Sequence, residues 1–101
     1  MDWKWEKVGE CIERRFLSGE SLTVAQFRLR QGCVVPRHSH PNEQISVVLE
    51  GVLEFEIGGK KLTLSAGDAV RIPPGVEHEA RALTDVVVVD AFSPPRRDWL
   101  K

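Results

Sequence analysis

The chain offers no stretch with a convincing helical period, whereas residues 44–57, QISVVLEGVLEFEI, form a strong β signal broken only by Gly51. Leu53, Phe55 and Ile57 alternate with Glu54 and Glu56, which predicts a strand with one wet face. Gly58-Gly59 then supplies a hairpin turn, because glycine accepts the positive φ that tight turns need. Lys61, Thr63 and Ser65 alternate with Leu62, Leu64 and Ala66, and a turn at Ala66-Gly67-Asp68 leads into a short strand from Ala69 to Ile72. Pro73-Pro74-Gly75 closes that strand with a stiff turn. Upstream, Thr23, Ala25, Phe27 and Leu29 share the largely apolar face of another strand. Downstream, two strand-like runs flank Thr84-Asp85, and the β-branched run Val86 to Val89 is expected to be buried on both faces. Short strands punctuated by Gly and Pro in a small chain predict an all-β sandwich or barrel.

The ends are less patterned. Trp3, Trp5 and Lys7 alternate as an edge strand does, with the tryptophans capping the core or meeting another subunit. Glu13, Arg14 and Arg15 are expected to be solvated. Pro94-Pro95 excludes a helix at that point, and Trp99 and Leu100 are a candidate final anchor.

At 101 residues there is room for one domain, spanning residues 1–101, and one modest core. A net charge of −1 gives no electrostatic case for nucleic acid or an anionic membrane. No apolar run approaches the ~20 residues of a membrane helix, and the start, MDWKWEKVGE, has no apolar signal core, so a cytoplasmic location is expected. Cys11 and Cys33 could pair, but in a reducing cytosol free, packed thiols are the expectation.

The chemistry concentrates in two turn-bounded stretches. GCVVPRHSHPNEQ, residues 32–44, holds His38, His40 and Gln44, which point the same way if the stretch is extended; GDAVRIPPGVEH, residues 67–78, ends on His78. Three imidazoles and an amide converging on one point make a site for one divalent transition metal ion, with Zn, Mn, Fe, Co and Ni all compatible. The competing readings are a solvated HxH strand and a Gln44 with no ligand role. Glu43 is the rival oxygen ligand, and its parity sends it to the opposite face unless a bulge intervenes.

These residues resemble the two motifs of the cupins. Gly32, His38, His40 and Gly51 match the first, with Gln44 where glutamate is usual; Gly67, Pro73, Gly75 and His78 match the second, with Ala82 where asparagine is usual. The resemblance implies a double-stranded β-helix, or jelly-roll barrel, with a metal in its mouth held by His38, His40, Gln44 and His78. Glutamine in place of glutamate removes the one anionic ligand, so the cation keeps its full charge and favours an anionic group in an open position.

A narrower resemblance lies in the tail. Asp90, Phe92 and Arg96 match the Asp-x-Phe-x-x-x-Arg arrangement of small cupin pectin-degradation proteins. That likeness implies an enzyme that opens the ring of 4,5-unsaturated monouronates, with Asp90 and Arg96 as catalytic residues and Phe92 and Arg96 binding substrate. Read from the residues alone, Asp90 shares parity with Val86, Val88 and Phe92 and faces the interior, where its pKa would rise. The plainer alternatives are an Asp90–Arg96 ion pair and a Phe92 that is core. A non-catalytic cupin that binds a sugar or small acid and an oxygen-using, metal-dependent dioxygenase stay open beside the isomerase-like reading. The expected partners are a small, anionic substrate and a second copy in a homodimer.

Overall fold

The computed structural model describes residues 3–100. Its strands are β1 (Glu6–Lys7), β2 (Ile12–Ser18), β3 (Thr23–Leu29), β4 (Val34–His38) and β5 (Glu43–Glu50), followed by β6 (Val52–Ile57), β7 (Lys60–Ser65), β8 (Ala69–Ile72), β9 (His78–Ala82) and β10 (Val86–Ser93). A 3-10 turn, Arg97–Trp99, follows the two prolines. All pairings are antiparallel, in a six-stranded sheet of order β1-β2-β3-β10-β5-β8 and a four-stranded sheet of order β4-β9-β6-β7. This is the all-β, jelly-roll architecture expected. No helix among the described residues is long and apolar enough to cross a membrane.

Alternation builds the core from both sheets. Leu29, Val48, Ile72, Val86 and Val88 come from the larger sheet, and Leu53, Phe55, Ala80 and Ala82 from the smaller. The Gly58-Gly59 hairpin has both residues at positive φ, +55° and +86°. Gly51 is under a stronger constraint. Besides φ +84°, a Cβ there would lie 2.0 Å from the Asp85 carbonyl oxygen. That approach lets Thr84 Oγ1 accept from the Val52 N–H at 3.0 Å. Gly51→Ala is therefore expected to cost about 3 kcal/mol, lowering the melting temperature by more than about 10 °C. Gly59→Ala, strained in φ but with open space around its Cβ, is expected to cost only about 1 kcal/mol. Equal losses in a thermal melt would refute the steric account.

Several expectations fail for identifiable reasons. Cys11 and Cys33 are joined in a disulfide. The β2–β3 register brings Cys11 beside Arg30, whose N–H donates to its carbonyl, and the chain folds back so that Cys33 donates to Arg30. A compartment argument carries no information about such a meeting. Arg14 and Arg15 are half-buried and not solvated, whereas Glu13 is exposed. Arg14 lies opposite Phe27 on the inner face of β2, with its guanidinium 4.3 Å from the Trp99 ring centre. The amino-terminal edge strand is only Glu6–Lys7, and Trp3 and Trp5 precede it, stacked on Arg15. In β10, Val86 and Val88 are buried, but Val87 and Val89 are half-buried on the outer face, because no layer covers that side. Trp99 does anchor the tail, packing edge-on against Phe16, Phe27 and Phe92.

Candidate metal centre and cavity

The HxH segment is not one extended strand. β4 ends at His38, residues 39–42 are irregular around Pro41, and Gln44 belongs to β5 in the other sheet. His38 is instead the register partner of His78 across β4 and β9. The Gly75 N–H donates to the His40 carbonyl at 2.9 Å, tying the Pro-Pro-Gly turn to the irregular segment. These links bring three imidazoles together from distant parts of the chain: one ligand nitrogen from each of His38, His40 and His78 lies within 4.8 Å of the others. The ring centres are 4.3–5.6 Å apart.

Each ring is aimed by a backbone carbonyl. His38 Nδ1 lies 2.8 Å from Pro36 O, His40 Nδ1 3.1 Å from Asn42 O, and His78 Nδ1 2.9 Å from Val76 O. A carbonyl only accepts, so Nδ1 carries the proton on all three rings and each Nε2 keeps a lone pair. His78 Nε2 is buried without a hydrogen-bond partner. His40 Nε2 faces Gln44 Oε1 at 3.0 Å, so two acceptors confront each other. Gln44 Nε2 in turn donates to Ser46 Oγ at 3.0 Å, which fixes the amide with its oxygen toward the imidazoles. Burial is the main cause that lowers the pKa of His40 and of His78, which favours the neutral rings a metal requires. Converging lone pairs with no proton to share, that of His78 buried, are costly alone and fit a divalent transition metal. Glu43 turns outward and ion-pairs with Arg71 at 2.6 Å, away from this cluster.

Beside the imidazoles lies a cavity of about 200 Å³. His38, Gln44, His78, Asp90, Phe92 and Arg96 all line it, with Phe27, Phe55 and Trp99 among the apolar walls. Asp90, on β10, pairs in register with Ser46 and Ala25 and is buried. Burial raises its pKa from 3.8 to about 6, opposed by the nearby Ser46 hydroxyl, Gln44 amide and Arg96 charge. Its Oδ1 is buried and unpartnered. The Asp90–Arg96 pair does not form. Arg96 forks instead onto Asp98, Nε to Oδ1 at 3.0 Å and Nη2 to Oδ2 at 2.8 Å, because a two-residue spacing across the turn is the shorter reach. Its guanidinium sits 4.8 Å from the Phe92 ring centre and 4.3 Å from that of Trp99.

A cupin-domain family model matches residues 25–92. KdgF from a Halomonas species is 36% identical in sequence, with a TM-score of 0.91 over 96% of this chain and 91% of that one. An RmlC-like cupin from Shewanella frigidimarina is 31% identical with a TM-score of 0.91, covering 96% of this chain and 88% of its own. The salicylate 1,2-dioxygenase of Pseudoaminobacter salicylatoxidans shares the fold at 19% identity, TM-score 0.84, over 93% of this chain and 28% of that one. A search of curated proteins finds no match.

The chain is a cupin.

Three residues of the cupin's site escaped sequence reasoning. Ser46 lies on the inner face two positions after Gln44, so strand parity could have found it. Asn42 is buried and donates to Pro94 O at 2.6 Å, tying the histidine segment to the tail. Asp98 gave no local signal, because its role arises only from where the tail lies.

Proposed function

We propose that this cupin binds a small carboxylated sugar and opens the ring of 4,5-unsaturated monouronates, with His38, His40, Gln44 and His78 holding one divalent transition metal ion. The observation that carries the reading is Asp90, a buried carboxyl with a pKa near 6 and an unpartnered oxygen, in a cavity shared with the His38 and His78 imidazoles and one arginine. The Asp-x-Phe-x-x-x-Arg pattern and the likeness to KdgF support it.

When bound, the metal would supply Lewis-acid polarisation of substrate oxygens. The chain's own residues account for the rest. Arg96 is the one cationic side chain on the cavity wall among the described residues, and it is suited to a carboxylate. Phe92 and Trp99 offer apolar surface to a sugar ring. In the reaction the anomeric hydroxyl loses its proton, the bond from C1 to the ring oxygen breaks, and C1 becomes an aldehyde. The ring oxygen is left as an enol on C5, which becomes a ketone as C4 gains a proton. Atoms and electrons balance without oxygen or any other co-reactant. Asp90 is placed to take and return the proton, and its pKa near 6 lets it do both at neutral pH. A cavity of about 200 Å³ is below the ~300 Å³ at which drug-sized sites begin, which suits a monosaccharide.

Following unsaturated galacturonate or guluronate monomer by NMR tests this directly. Loss of the cyclic form well above the buffer rate is expected, and no acceleration sinks the substrate assignment. A homodimer is part of the same reading, supported by the exposed Leu17, Ile45 and Leu49 on the outer face of the larger sheet, and light scattering decides it.

A further inference from the structure

The Arg96 fork already holds a carboxylate, that of Asp98. The two members of this pair differ in their surroundings. Arg96 is 9% exposed, and its backbone N–H is anchored to Thr23 Oγ1 at 2.9 Å. The Asp98 side chain is 60% exposed, on a single 3-10 turn. Arg96 lines both the inner cavity and an outer groove of about 430 Å³ beside His40 and Asn42, whereas Asp98 lines only the groove. The arginine is thus fixed in the wall between two spaces, and its carboxylate partner can swing into water without disturbing it.

We propose that Asp98 is an internal competitor at the binding site: a carboxylate that occupies the Arg96 fork until a ligand's carboxylate displaces it. The inference rests on the reading of Arg96 as the substrate's carboxylate grip. Its consequence is that a carboxylate ligand binds by exchange. A ligand with a carboxylate replaces one bidentate pair by another and recovers what it breaks. A neutral sugar cannot make that exchange, so it leaves the fork closed. Asp98 also lowers the affinity for every carboxylate ligand, because only the fraction of molecules with an open fork is competent to bind.

The test uses the full-length, metal-loaded protein with galacturonate and galactose as probes, titrated by calorimetry. Asp98→Asn removes the competing charge at an exposed position where the fold has little at stake. It is expected to bind galacturonate roughly fivefold more tightly than the native protein and galactose no better. Arg96→Gln should abolish the gain when combined with Asp98→Asn. Unchanged or weaker galacturonate binding by Asp98→Asn overturns the proposal, because Asp98 would then orient Arg96 without competing for it. An equal gain for galactose overturns it too, since that points to general loosening of the turn. A gain without turnover of unsaturated uronate would remove the ring-opening assignment and leave the exchange intact. Turnover without the gain would do the reverse.

Discussion

Returning zinc or manganese to chelator-stripped protein is expected to raise the melting temperature by roughly 15 °C or more and to restore any activity lost on stripping. The size follows from linkage: a metal present at 1,000 times its dissociation constant adds about 4 kcal/mol, and each kcal/mol moves the midpoint of a 100-residue domain by about 4–8 °C. The physical source is the set of Nε2 lone pairs left by three Nδ1–H donors, one of them on His78 and buried without a partner. His78→Ala should abolish most of the metal-induced shift while its stripped form melts close to the native stripped protein. A native protein whose melting temperature ignores all five candidate metals would refute the metal assignment.

Asp90→Asn is expected to lower kcat by about 10²–10⁴-fold, the usual worth of a positioned proton carrier. Metal content, measured by elemental analysis, should not change, because Asp90 stands behind Gln44 and Ser46 and not among the imidazoles. Stability should respond in the opposite sense to activity. The native carboxyl titrates near 6 and the unfolded one near 3.8, so between these values the native state holds a proton that the unfolded state has lost. The stabilisation this confers is complete below the lower value and disappears as pH rises through the upper one. Above pH 6 the native protein carries a buried charge costing about 3 kcal/mol, and the variant does not. Asp90→Asn should therefore melt no lower than the native protein at pH 8, and a pH–rate limb near 6 should vanish with it. Loss of metal together with activity would instead make Asp90 a support for Gln44.

The legible and illegible parts of this protein divide along a physical line. Alternation along β3 and β6 put Ala25 and Leu29, and Leu53 and Phe55, on apolar faces that prove to be buried, since side chains two apart in a strand share a face wherever the strand goes. By the same rule His78, Ala80 and Ala82 share one face of β9, and all three are buried there. The rule assumed, however, that His38, His40 and Gln44 lay on one extended segment. They are gathered instead by two sheets, by the irregular stretch around Pro41 and by the His38–His78 register.

The amino-acid order by itself determined the strand faces, the turns at Gly58-Gly59 and Pro73-Pro74-Gly75, and the supply of donor side chains, because each depends on residues a few positions apart. Tertiary structure alone decided that Cys11 meets Cys33, that Arg14 lies against Trp99, and that Arg96 takes Asp98 and leaves Asp90 Oδ1 unpartnered. Each of those outcomes depends on which strands are neighbours and where the tail crosses them. Such placements arise when the two sheets close over one core, and local sequence carries no record of them.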